Sequence, residues 1–304
     1  MKKKIVIAGG NGFLGRSIMK RYPSQNIKWV VLTRRKVADK SHIKYVPWDG
    51  QTLGSWASEL ENAEALINLA GKSVDCRYNE KNKREIYNSR VRSTAILGVA
   101  VNQCIKPPKA WVNAASATIY RDALDRPMDE ATGEYGTGFS VDVCQKWERT
   151  FNDLYTPHTR KILLRIAVVL GADGQALPPM LKLVSMGMGG RQGNGSQMVS
   201  WIHEQDFVNI LHFCLNKPQI IGTYNAASPH PVANWKLMAL LRRIKKIPFG
   251  LPIPKFLLSL GAWLIGTEAE LVLKSRWVLP TKLEQSGFVF DFGNLEPALE
   301  DLCA

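Results

Sequence analysis

Residues 9–15 read Gly-Gly-Asn-Gly-Phe-Leu-Gly and follow directly on the apolar run Ile5-Val6-Ile7-Ala8. No other stretch restricts the fold as much, because it predicts a buried strand, a glycine turn and a helix start in immediate succession. Gly9 lets the chain turn sharply. Gly12 removes a side chain where a pyrophosphate must approach the backbone, and Gly15 lets the helix pack close to the strand. The free N–H groups at the helix start would face phosphates. The implied ligand class is a dinucleotide.

The N-terminal half repeats this strand–helix rhythm. Strands are expected at Ile5–Ala8, Trp29–Leu32, Lys44–Val46, Ala65–Leu69, Ala110–Asn113 and Ile162–Leu170, and helices at Phe13–Tyr22, Tyr87–Cys104 and Val141–Tyr155. Near-continuous apolar strands are the pattern of a sheet covered on both faces. The expected fold class is therefore α/β, a doubly wound parallel sheet of the Rossmann type. Past Leu170 the chain turns rich in Gly, Met and Pro. Residues 1–172 read as the dinucleotide-binding domain. Residues 173–304 read as a smaller substrate-binding region that returns a strand to the sheet near 222–227. Within it, Phe207–Leu215 and Trp235–Lys246 have helical spacing. Phe256–Ile265 is too short to span a bilayer and reads as a buried or interfacial helix.

The end of the second strand selects the nucleotide. An acidic residue there binds the ribose 2′-hydroxyl of NAD, whereas arginine suits the 2′-phosphate of NADP. This chain has Leu32-Thr33-Arg34-Arg35, with no Asp or Glu before Asp39, and Arg16 follows the last glycine of the turn. A guanidinium holds phosphate bidentately, so the expected cofactor is NADP(H).

Forty Lys and Arg against 26 Asp and Glu give a formal net charge of +14. Such a balance fits nucleic acid, an anionic membrane or an acidic small ligand. No nucleic-acid-binding module or aromatic-interleaved basic patch accompanies it, so no nucleic-acid partner is expected. The partner is read as a small, anionic substrate, and the assembly as a monomer or homodimer. Cys76, Cys104, Cys144, Cys214 and Cys303 are scattered without metal or redox spacing. No metal site is expected, and a cytoplasmic, reducing location fits. His42, His158 and His230 read as loop residues, and none has ligand spacing.

GGNGFLGR (9–16), NLAG (68–71), NSR (88–90), ASATIY (115–120), KWE (146–148), RIAVVLG (165–171), MGGRQGNGSQMVSWIHEQD (188–206) and VLPTKLEQSGFVF (278–290) occur in order. Together they resemble the atypical extended short-chain dehydrogenase/reductase class, in its epimerase-family subgroup of nucleoside-diphosphate-sugar epimerase-like proteins. The resemblance covers nearly the whole chain. It implies an NADP(H)-binding oxidoreductase or epimerase. Implied cofactor contacts are Gly9, Gly12, Phe13, Leu14, Gly15, Arg16, Thr33, Arg34, Arg35, Asn68, Leu69, Ala70, Gly71, Glu85, Arg90, Ala114 and Val168. It also makes Ser116 the residue that hydrogen-bonds the reacting carbonyl or hydroxyl. The superfamily's Tyr-x-x-x-Lys pair, counted back from Glu148, falls on Ser140 and Cys144. A serine hydroxyl is a far weaker acid than a phenol. Tyr120 is the candidate substitute acid, and a non-catalytic NADP(H)-binding sensor or scaffold is the alternative.

On the substrate side, Arg191 could clamp an anion. Trp201 and His203 could flank the substrate, with His203 paired to Glu204 or Asp206. Alternatively this stretch is a structural turn in which Asp206 caps the following helix.

Overall fold

Four apolar residues in a row bury both faces of the first strand. Ile5 and Ile7 point into one core, and Val6 and Ala8 into the other, as the two-residue period of a strand requires. In the computed structural model, which describes residues 2–24, 26–266, 268 and 270–304, the chain runs as follows: β1 (Lys3–Ala8), α1 (Phe13–Arg21), β2 (Ile27–Thr33), β3 (Ile43–Pro47), β4 (Ala65–Asn68), α2 (Glu80–Asn102), β5 (Ala110–Ser116), α3 (Phe139–Asp153), β6 (Arg160–Ile166), β7 (Val168–Leu170), α4 (Leu177–Ser185), β8 (Met198–Val199), β9 (Trp201–His203), α5 (Glu204–Asn216), β10 (Gly222–Ala226), β11 (Val232–Ala233), α6 (Asn234–Ile244), α7 (Lys255–Ile265), α8 (Glu270–Leu273), α9 (Thr281–Gln285) and α10 (Leu295–Cys303).

Seven strands form one parallel sheet in the order β3-β2-β1-β4-β5-β6-β10. This is the doubly wound fold expected from the sequence. Helices α1 and α5 pack together, and α2 packs on α3. Their apolar residues sit in separate cores: Ile18, Phe207 and Leu211 in one, Leu97, Val101 and Phe151 in the other. The strand order reverses between β1 and β4, and the crevice at that switch point is where such sheets bind ligands.

Three elements differ from their sequence reading. The sixth strand ends at Ile166 instead of Leu170. Ala167 still donates to Ala226 O, but Val168 donates to Ser200 O, so β7 leaves the main sheet and pairs with β9. Helix α2 starts seven residues earlier than Tyr87, because the Asn79 side chain caps it by accepting from Asn82 N at 2.8 Å. Helix α7 departs only from the buried half of its reading as buried or interfacial: Phe256, Leu257, Leu260 and Trp263 are exposed.

The C-terminal segment is stitched to earlier parts of the chain. Met128 N donates to Trp277 O, Leu279 N to Met128 O, and Arg276 N to Met198 O. Ser200 Oγ donates to Arg276 O and accepts from Val278 N.

Candidate functional site

The glycine turn lies at the switch point between β1 and β4, where such sheets carry their crevice. Gly9 has φ +77°, and a Cβ there would lie 2.9 Å from Leu69 O. A Cβ on Gly15 would lie 2.2 Å from Gly10 O. Packing therefore requires glycine at both positions. Gly12 differs. It is exposed, its φ of −72° suits any residue, and a Cβ there would meet only Gly9 O, at 3.6 Å. Nothing within the chain requires glycine at residue 12. Gly12 is the N-cap of α1, with no side-chain acceptor and no acidic residue in the first turn. The positive end of the helix is thus uncompensated. The phenyl ring of Phe13 packs against the 171–174 turn, where a Cβ on Gly171 would lie 2.4 Å from it. Leu14 packs on the core under the sheet.

Beside this turn, β2 ends at Thr33. The Thr33 hydroxyl accepts from Asn11 Nδ2 at 2.5 Å and from Arg35 N at 3.1 Å. Arg16 Nη1 donates to Asn11 O at 2.8 Å. Arg34 and Arg35 are exposed, and among the described residues none of these three arginines has a carboxylate within ion-pair distance. Three guanidinium-bearing residues thus surround one rim of the crevice.

The opposite rim is built on Asn68. Its buried amide donates to Thr94 Oγ1 and Asn113 Oδ1, while its Oδ1 accepts from Ala70 N. This network fixes the Asn68-Leu69-Ala70-Gly71 turn. Gly71 faces Arg90, whose guanidinium carbon would be 3.3 Å from a Cβ at that position. The Arg90 guanidinium lies over the Trp147 ring, 5.3 Å from its centroid. Glu85 pairs with Lys72 at 2.5 Å, and that contact holds its carboxyl below the usual range.

At the far end, β5 finishes with Ala114, which is buried, and Ser116, which is half-buried. Ser116 Oγ donates to Thr118 Oγ1 at 3.0 Å and accepts from Thr118 N. Val168 is exposed as the chain leaves the sheet and offers an apolar surface there. Tyr120 is not a substitute acid. It is fully buried, and its hydroxyl donates to Asn225 Oδ1 and accepts from Arg165 Nη1. Burial raises its pKa despite the neighbouring guanidinium. Cys144 is buried too, and burial pushes its thiol up to about 12. Glu148 is committed to a bidentate pair with Arg165.

Ser140, however, is half-exposed and meets a residue that the sequence reading passed over. Tyr78, in the loop between β4 and α2, places its hydroxyl 3.3 Å from Ser140 Oγ. Ser140 Oγ donates to Glu270 Oε1 at 2.6 Å. A phenol is therefore present beside the position where the family's tyrosine would stand, carried by a different element. Burial raises the Tyr78 pKa. No periodicity marks Tyr78; only its place in the loop after NLAG could have drawn attention to it.

The three substrate-side candidates are not brought together here. Trp201 and His203 are buried within β9. His203 is itself the N-cap of α5, its Nδ1 accepting from Gln205 N at 3.0 Å, and its ring stacks on Phe292. Asp206 is not the cap; its carboxylate accepts from Asp291 N and Phe292 N. Histidine is outside the usual N-cap set of Ser, Thr, Asp and Asn, so the sequence pattern does not mark it as one. Arg191 is exposed on the loop that pairs with residues 251–253. Among the described residues no group of three or more His, Cys, Asp or Glu is placed to hold a metal ion.

Comparison with known proteins agrees with the fold. Residues 5–227 match the model of the NAD dependent epimerase/dehydratase family, and residues 253–302 match a domain of unknown function, DUF1731. An epimerase family protein of Staphylococcus haemolyticus is 31% identical over 99% of both chains. The chloroplastic epimerase family protein SDR39U1 homolog of Arabidopsis thaliana is 31% identical, over 97% of this chain and 85% of its own. The crystal structure of human epimerase family protein SDR39U1 (isoform 2) with NADPH superposes with a TM-score of 0.88 at 25% identity, covering 99% of each chain.

Proposed function

Because the chain belongs to the NAD dependent epimerase/dehydratase family, we propose that it binds NADP(H) and acts as an oxidoreductase or epimerase on a small-molecule substrate. The observation that carries the cofactor choice is the end of β2. Thr33 is pinned to Asn11, and Arg34, Arg35 and Arg16 border the place where a carboxylate would select NAD. The NADPH in the human relative's structure supports the same reading. In this reading Gly9, Gly12 and Gly15 receive the pyrophosphate at the start of α1. Asn68 to Gly71, with Arg90, line the central part, and Ala114 and Val168 the nicotinamide end. Residues 1–172 then hold the nucleotide, and 173–304 complete the substrate side.

When bound, the nicotinamide supplies or accepts the hydride. The chain's own task is to polarise and to move a proton. Ser116 Oγ hydrogen-bonds the reacting oxygen. Tyr78 Oη, held beside Ser140, is the proton carrier in place of the family's tyrosine. The five cysteines are all unpaired, which fits a reducing, cytoplasmic location.

Two charge-assisted arginine–phosphate bonds contribute about 3 kcal/mol, or roughly 100-fold, to the preference for NADPH over NADH. Calorimetric titration of both cofactors checks this, and equal affinities would refute it. A screen of carbonyl compounds and sugar nucleotides with NADPH tests the reaction. Ser116→Ala and Tyr78→Phe should each lower turnover by roughly 10²–10⁴-fold while NADPH affinity is kept. A second reading, a nucleotide-binding sensor, is favoured by the buried, protonated Cys144 where a lysine is usual. Turnover abolished by Ser116→Ala would eliminate it.

A further inference from the structure

From Phe207 to Thr267 every charged side chain except histidine is Lys or Arg; the nearest acids are Asp206 and Glu268. Its seven Lys and Arg, unopposed by any acid, make up +7 of the chain's net +14. The same segment carries the main exposed apolar ridge among the described residues. Phe249, Leu251, Phe256, Leu257, Leu260 and Trp263 are each between 45% and 69% exposed. Contiguous patches of this kind mark docking surfaces and are rare on freely soluble monomers.

The ridge is held in place by hydrogen bonds. Leu251 N donates to Gly187 O, Gly190 N to Leu251 O, and Ile253 N to Arg191 O. Arg242 Nη1 donates to Gly189 O. Helix α7 starts at Lys255, and its far end is tied down by Arg77, which donates to Trp263 O at 2.5 Å and stacks over the Trp263 ring. Exposed Lys245, Lys246, Lys255 and Arg191 flank these apolar side chains, while Arg243 is paired with Glu296.

We propose that this face docks on an anionic phospholipid membrane surface, with α7 and the Phe249–Leu251 loop inserted at the headgroup boundary and the flanking lysines on the lipid phosphates. Basic residues beside exposed aromatic and leucine side chains are the composition of interfacial segments. Tryptophan favours that depth, where one part of the ring is apolar and the other wet. No helix among the described residues is long and apolar enough to cross a membrane, so the contact is one of surface and not of span. A second copy of the chain is the less favoured occupant. A two-fold interface would set Lys245, Lys246 and Lys255 against their own equivalents, with no acid in the segment to offset them. The tie between Trp263 and Arg77, adjacent to Tyr78, places the mouth of the candidate site next to the docked face.

The test is co-sedimentation of the full chain with vesicles of phosphatidylcholine alone and of phosphatidylcholine mixed with phosphatidylglycerol. Binding to the anionic vesicles should be at least about tenfold stronger and should weaken with salt. Lys245→Glu with Lys246→Glu should reduce binding to the level of the neutral vesicles. Phe256→Ser with Leu260→Ser should remove the salt-resistant part, with the thermal midpoint unchanged. Equal partition on both vesicle types, or none on either, overturns the proposal. So does a dimer in light scattering that Phe256→Ser disperses, which would assign the ridge to a second copy.

Discussion

Glu148→Ala is the substitution whose cost the structure defines best. Arg165 and Glu148 are 5% and 6% exposed. Arg165 Nε and Nη2 donate to the two carboxylate oxygens at 2.8 Å each, Nη1 donates to Tyr120 Oη at 2.8 Å, and Nη2 to Tyr135 Oη at 2.7 Å. This single side chain ties α3 to β6 and to the loop that follows β5. Removing the carboxylate leaves a buried cation with two orphaned donors and no counter-charge. Breaking a buried pair from one side costs about 3–5 kcal/mol. At roughly 2–4 °C per kcal/mol for a domain of this order of size, the thermal midpoint should fall by about 6–20 °C. Urea unfolding followed by circular dichroism should show a lower midpoint at unchanged slope. Replacing both partners, Glu148→Leu with Arg165→Met, removes the uncompensated charge and should recover most of the loss. The reasoning is refuted by a loss under about 1 kcal/mol in Glu148→Ala, or by a double variant no more stable than the single one.

If the proposed nucleotide site is right, Gly12→Ala should keep its fold and lose NADPH affinity, by at least about tenfold in calorimetry, because its Cβ meets only Gly9 O within the chain but would stand where that reading brings the pyrophosphate. Gly15→Ala should instead lose stability by about 1–3 kcal/mol in urea unfolding, since its Cβ overlaps Gly10. Asp206 is pushed up to about 6 by burial, against the pull of two backbone donors. The folded state then holds a proton that the unfolded chain has already released, so this group's contribution falls as pH rises from about 4 to 6. In a series of unfolding curves across that window, Asp206→Asn should remove this downward component. Parallel wild-type and variant curves would contradict it.

The nucleotide half was legible because its signals are local. A glycine turn after an apolar run, and strands buried on both faces, can be read without knowing what they pack against. The reaction end depends on distant partners. Tyr120 sits close to Ser116 in sequence and looked available, but Arg165 and Asn225, from two other strands, take both sides of its hydroxyl. Tyr78 became visible only once α3 brought Ser140 beside it. Helix α7 shows a different limit. An apolar run predicts that burial is favourable, but not that the chain supplies the surface to bury it, and here Phe256 and Trp263 remain exposed.

The return of β10 also sets an order of assembly. Strand β6 ends at Ile166, and its second neighbour is not made until Gly222–Ala226. During synthesis the apolar β6 therefore waits with an open edge while some fifty further residues emerge. An unpaired edge of this kind invites pairing with another chain. A stalled or truncated product ending within α5 should be the aggregation-prone species, and slower translation through residues 167–226 should lengthen that exposure.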